Sequence, residues 1–201
     1  MSYFHIKAAL TAAVVAAALF CNLQASASDK DATNKSVLVI DGSKIVSKSS
    51  AYKNLSQQID NKRNEYKDII HKQERILAKA QQELEAQKNA ISAEAFATKS
   101  KELEKNMSNL QQDTMMKQAI LNLAAKNAEQ EIINKVSSAV EKEAKARGYA
   151  IVIDKGATLY ASSEMDITDK IITELNSTLP NAKVDFQAAA KTVEESVKKQ
   201  N

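Results

Sequence analysis

Side chains able to act as bases, nucleophiles or metal ligands are few in this chain, and they are scattered. A leader ending at Ala27 would take His5 and Cys21 with it, leaving His71 as the sole histidine and no thiol. His71 stands beside Lys72 and Glu74 in a charged stretch. A base or ligand needs convergent partners, so a solvated surface residue is the stronger reading. Asp41 and Asp154 each close a short aliphatic run, Val37-Leu38-Val39-Ile40 and Ala150-Ile151-Val152-Ile153. Two carboxylates brought together could move a proton. An Asp at a strand end more often holds a turn through its neighbouring backbone, and that reading is preferred. Asp166 likewise reads as a helix cap before it reads as a ligand. No HExxH, paired CxxC, P-loop or dinucleotide-binding glycine string occurs. No enzymatic activity, cofactor or metal is expected.

The remaining candidates are binding side chains. Met107, Met115 and Met116 lie in a long charged segment, and methionine packs adaptably against varied partners. Met107 fits the apolar seam described below and reads as one of its knobs. Met115 and Met116 are adjacent and must point to different faces, so at least one is a candidate for contact with a partner chain. Phe96 could close the end of a helical hairpin or touch the same partner.

The elements that carry these residues follow from composition and spacing. The 201 residues include 3 Gly, 1 Pro and no Trp, with 4% aromatic residues. Such a mixture favours long helices over a compact aromatic core. The net charge of +3 comes from 28 basic and 25 acidic residues, a mixed-sign surface unlike that of a dedicated nucleic-acid binder.

The chain opens with His5 and Lys7, an apolar run from Ala8 to Phe20, and a polar stretch ending Ala25-Ser26-Ala27. This pattern predicts a secretory signal peptide over residues 1–27, cleaved between Ala27 and Ser28. The apolar run is too short to span a bilayer, which needs about 20 residues. Phe20 before Cys21 argues against lipidation. The mature protein would then lack cysteine, which excludes disulfides and thiol chemistry. Residues 28–35 read as a flexible polar N-terminus.

Val37 to Ile40 reads as a buried strand. From Ser43 to Arg147 there is neither Gly nor Pro. Apolar residues recur there in steps of three and four, first at Leu55, Ile59, Tyr66, Ile69, Ile76, Ala80, Leu84 and Ile91. They continue at Leu103, Met107, Leu110, Leu121, Ala128, Ile132, Val136 and Ala139. This is a heptad-like seam, loosened where Lys62 and Gln73 interrupt it. One straight helix over residues 43–147 would reach about 155 Å. A hairpin turning near Ser92, with Ser92 as N-cap, would bury the seam within one chain.

Gly148 ends the helical arm. Two further strands are expected, at 150–153 and at Thr158-Leu159-Tyr160-Ala161, so that the body strands fall near 37–41 and 150–161. A closing helix follows over 166–177, with Asp166 as N-cap, Asp169 in capping-box position and Ile167, Ile171, Ile172 and Leu175 on its apolar face. Residues 178–201 read as a mobile tail or loosely docked helix. Strand pieces this small cannot fold alone and must meet across the long insertion. The fold class is α+β, predominantly helical, with a small β-sheet body and a long protruding antiparallel helical hairpin. The candidate body or oligomer core comprises Val37, Val39, Ile151, Ile153, Leu159, Ile167, Ile171 and Leu175. Oligomerisation would enlarge so small a base.

Three strings carry a family resemblance: Val37-Leu38-Val39-Ile40-Asp41, the run Tyr149-Ala150-Ile151-Val152-Ile153-Asp154-Lys155-Gly156-Ala157, and Asp166-Ile167-Thr168-Asp169. In that order, around long charged helices, they resemble the Skp/OmpH family of periplasmic chaperones over about Ser36 to Asn176. The resemblance implies a homotrimer with three projecting hairpins. These would hold unfolded outer-membrane proteins, without ATP, in transit through the periplasm. The chain departs from that pattern in its longer tail after Asn176. The family has been linked to lipopolysaccharide, but no local basic cluster supports a site here. The arm's modest basic surplus could favour weak contact with an acidic membrane surface. A second reading is a structural coiled-coil spacer or adaptor of the cell envelope, with one fixed folded partner. A basic nucleic-acid binder is the weakest reading, since secretion separates it from nucleic acid and no aromatic-basic motif is present.

Overall fold

A computed structural model describes residues 37–199. The expected signal peptide, its Ala27–Ser28 cleavage site and the flexible stretch 28–35 lie outside the described residues. The first strand, β1 (Val37–Ile40), runs straight into a short helix, α1 (Gly42–Lys48). Asp41 is the reason: its carboxylate accepts the Lys44 N–H at 2.8 Å, so it caps a helix where a turn was expected. The helix stops at Ser49, which is extended and fully buried, although no Gly or Pro marks the break. It restarts as α2 (Ser50–Ala86), with the Ser50 N–H and hydroxyl both donating to Asn176 Oδ1 at 2.8 and 3.0 Å. A residue distant in sequence thus caps α2 from across the body.

The chain turns through residues 87–92 and climbs back as α3 (Ala93–Arg147). Ser92 caps this helix, its hydroxyl accepting the Ala95 N–H at 3.2 Å. Gly148 closes α3 at φ +75°, a left-handed conformation that side chains with a Cβ resist. At 1.5 Å per residue α2 is about 55 Å long and α3 about 80 Å, so the pair forms a long antiparallel hairpin.

Strand β2 (Ile151–Asp154) returns to lie parallel to β1, pairing Val37 with Ile151 through Ile40 with Asp154. Parallel neighbours need a long crossover, and here the whole arm supplies it. The other edge of β1 is taken by the chain entering the closing helix: Val39 bridges Asp166, and the Ile167 N–H donates to the Val39 carbonyl at 3.0 Å. The expected third strand at Thr158–Ala161 is therefore not seen. Both edges of β1 are occupied, and after the 3-10 turn Lys155–Ala157 this segment is irregular, with Leu159 and Tyr160 exposed.

A second 3-10 turn, Ser163–Met165, leads to α4 (Thr168–Thr178), which carries the apolar face expected of the closing helix. Ile171 and Leu175 on it are fully buried, with Ile167 just before it, Leu38 from β1 and Ile132 from α3. Asp169 does not complete a capping box; it pairs instead with Lys44 of α1 at 2.6 Å. Of the candidate core residues, Val39, Ile167, Ile171 and Leu175 are buried, and Val37 and Ile153 are half-buried. Ile151 and Leu159 are exposed; among the described residues β2 has only β1 beside it. The tail forms a further helix, α5 (Phe186–Lys198), capped by Asp185 and packed along α3.

Polar side chains lock the strand ends together. Asp154 accepts the Gly42 N–H at 3.1 Å and the Gly156 N–H at 2.7 Å. A Cβ on Gly42 would stand 2.9 Å from that carboxylate, which explains a glycine in the first turn of α1. With Asp41 and Asp154 each occupied by backbone donors, they form no proton-exchanging pair. Buried Thr168 is the hub: its hydroxyl accepts the Asp41 N–H at 2.8 Å and donates to Asp166 Oδ1. Thr168→Val keeps the shape but leaves the Asp41 N–H without its acceptor and takes one donor from Asp166, so it should cost about 1–3 kcal/mol in chemical denaturation.

Asp166 also receives Lys155 Nζ at 2.8 Å and the Thr168 N–H at 3.0 Å. The Lys155 ammonium, then the Thr168 hydroxyl, hold its pKa down at about 2. A carboxyl depressed on folding stabilises above its unfolded value, and that contribution is lost as pH falls from about 4 toward about 2. Because Lys155 is half exposed and screened, the contribution is about 1–2 kcal/mol. Asp166→Asn should therefore reduce stability at pH 7 and flatten the acid limb of the stability profile between those pH values.

Candidate functional site

Two helices packed alone can close only one seam, and the arm shows where closure stops. The buried residues of α2 are Ala51, Leu55 and Ile59; those of α3 begin at Ile120 and lie toward its C-terminal end. Among the described residues nothing in the arm beyond Ile59 and before Ile120 is buried. The root is a packed core made with α4 and α5, and the distal arm is a half-open pair of helices.

Charged neighbours mark the boundary. Lys62 Nζ lies 5.1 Å from the Tyr66 ring centre and 5.7 Å from that of Phe186 in α5. Lys117 Nζ lies 5.5 Å from the same Tyr66 ring and 2.5 Å from Asp113. This collar of cations around an aromatic ring accounts for Lys62 in the seam: its ammonium is held over rings and beside Glu65. At the opposite end of α3, Glu143 is buried with its side chain 6% exposed, paired with Lys170 of α4 and Arg147. Lys170 first, with help from Arg147, holds its pKa below the usual carboxylate range, so the charge persists inside the root.

Beyond the collar, the seam runs through Ile70, Leu77, Leu103 and Leu110, which are half-buried. Ile69 and Ile76, expected in it, are turned outward. The signal was present in the sequence: Ile69-Ile70 and Ile76-Leu77 are adjacent pairs, and only one member of each can face the partner helix. Two open grooves share Leu77 and Leu110 in their lining. One, of about 300 Å³, is lined by Gln73, Ile76, Asn106 and Asp113 among others. The other, of about 410 Å³, is lined by Ala78, Met107, Thr114 and Met115 with the same two leucines.

Ile76 is 58% exposed, Met115 59% and Met107 49%. Met107 is thus not the seam knob that its spacing suggested, because Leu103 and Leu110 fill that line. Met115 and Met116 part as adjacency requires, with Met116 packed against the root core. Phe96 is half-buried in the first turn of α3, its N–H donating to the Ser92 carbonyl at 2.9 Å, far along the arm from both methionines. The distal arm therefore offers large, flexible apolar side chains beside grooves, framed by charged residues that pair locally, as in Lys79 with Glu83.

His71 makes a helical pair with Glu74 at 2.8 Å. Among the described residues no group of His, Cys, Asp or Glu is placed to hold a metal ion. Among them, too, no helix is long and apolar enough to cross a membrane.

Comparison with known proteins agrees with this architecture. No curated protein gives a significant match. Among solved structures, a proposed outer membrane chaperone (OmpH-like) from Caulobacter crescentus superposes with a TM-score of 0.69 at 17% identity, over 74% of this chain and 88% of that one. That similarity establishes a shared fold. The model of the family described as "Outer membrane protein (OmpH-like)" matches residues 36–175, from just before β1 to the end of the α4 core. With most of its length matched and the hairpin-on-sheet fold in common, the chain belongs to the OmpH-like family.

Proposed function

We propose that this protein is an ATP-independent holding chaperone of the periplasm, which binds unfolded outer-membrane proteins and prevents their aggregation in transit. The observation that carries the reading is the distal arm, where Ile76, Met107 and Met115 stand half-exposed or more beside two apolar grooves. Isolated exposed apolar residues are ordinary, but three around one groove system on a slender arm make a surface suited to weak, repeated contact with apolar chain segments. Methionine adapts to segments of different shape. With no single tight site, release follows when the client folds or moves on. The membership of the family and the fold shared with the Caulobacter protein support the same role.

The working form is a homotrimer. Among the described residues the outer edge of β2 has no partner, Ile151 on it is 51% exposed, and Leu159 and Tyr160 beyond it are exposed too. An unpaired edge with apolar neighbours is a template for another chain. Joining copies there would complete the core assigned to Ile151, Ile153 and Leu159 and gather the arms around a common space. The basic surplus of the arms would favour clients or membrane surfaces of negative charge.

Solution mass together with client capture from a periplasmic extract tests the reading. A mass near three chains and a broad set of unfolded barrel precursors are expected. A single folded partner in fixed ratio would replace this function with that of an envelope spacer.

A further inference from the structure

Helix α5 lies beyond the residues matched by the family model, yet it is built into the root of the arm. Ala189 is fully buried, Ala182 and Val184 nearly so, and Phe186 and Val193 pack against the same core. The segment touches both helices of the hairpin. Its helix packs along α3, while the approach to it is tied to α2: Gln58 Nε2 donates to the Ala182 carbonyl at 2.7 Å, and Lys62 lies over the Phe186 ring. Burial along the hairpin ends where these ties end, at Ile59 and Ile120. Two helices alone bury none of the distal seam, whereas the root, with a further helix laid against it, is closed.

We propose that α5 is a brace. It clamps α2 and α3 together at the root, fixes the direction in which the arm leaves the body, and confines bending to the stretch beyond the Lys62–Tyr66–Lys117 collar. Its grip is a narrow face, Phe186, Ala189, Ala190 and Val193, with a helix cap at Asp185. Such a face holds a helix in place without adding a second core, so the brace can loosen while the sheet body stays folded.

Hydrogen exchange on the full chain and two variants tests this. One variant, Ala189→Glu, places a charge at a fully buried position and should undock α5. The other ends the chain after Leu179. A control, Gln187→Glu, makes the same charge change on the exposed side of α5. In both test variants, amides of residues 55–62 and 117–132 should exchange at least about tenfold faster, while β1, β2 and α4 keep their protection and the control matches the parent. Unchanged root protection in the chain ending at Leu179 would overturn the proposal. Loss of protection throughout the body would overturn it too, since α5 would then belong to the fold's nucleus and not act as a brace.

Discussion

Replacing Ile76, Met107 and Met115 together by serine is expected to abolish most client protection while leaving the protein folded. Each side chain is already about half in water, so removing it costs the native state little. In the client complex, each would bury its remaining apolar area, worth about 1 kcal/mol or somewhat more per side chain. The summed loss is about 3–4 kcal/mol, which weakens client binding by about a hundredfold or more. Aggregation of a denatured β-barrel protein, followed by light scattering, should then require a large excess of the variant for protection. A thermal unfolding profile like the parent's would show that the arm itself is intact. A matched triple substitution at exposed charged positions, Lys72, Lys101 and Lys105, should leave protection nearly unchanged at moderate salt, because exposed charges are screened. If both triples protect like the parent, the distal grooves are not where clients are held.

Ile171→Ala should have the largest effect on stability. Ile171 is fully buried in α4, in the core where the closing helix packs on α1 and the root of the arm. Truncation removes most of a packed side chain and leaves a cavity that α4 cannot fill without shifting against α1 and α3. The expected cost is about 2–5 kcal/mol, a large part of the roughly 5–15 kcal/mol that keeps a domain folded. Chemical denaturation should show it as a lower midpoint. Leu159→Ala, at an exposed position in the single chain, would be nearly silent in a monomer but destabilising if Leu159 packs between subunits. The two substitutions thus separate the core of the chain from the core of the assembly.

The parts of this molecule that were legible in its sequence are those governed by local rules. A run of aliphatic residues with an Asp after it marked β1 and β2, and the absence of Gly and Pro over the arm marked α2 and α3. Ser92 was legible as a cap because capping depends on three or four residues only. The break at Ser49 was not, since it is set by Asn176, distant in sequence, which supplies the cap for α2. The misplaced strand at Thr158–Ala161 has the same origin: its residues favour a strand, but Asp166 and Ile167 had already taken the free edge of β1. Ile69 and Ile76 were placed in the seam by a strict heptad count. A helix of 3.6 residues per turn drifts from that count, and their neighbours Ile70 and Leu77 inherit the seam. The same drift displaced Met107 into the groove. Helix α5 was underestimated because two of its four core-facing residues, Ala189 and Ala190, are alanines, which signal little hydrophobicity in sequence but permit close packing against α3.

The assignment of function stands on the arm as a surface for unfolded chains. The most direct measurement mixes the protein with a urea-denatured outer-membrane β-barrel protein, dilutes the urea, and follows aggregation without nucleotide. Suppression that saturates near one assembly per client and is indifferent to added ATP is the predicted result. Aggregation that proceeds at its unassisted rate across that whole range of ratios would contradict the account.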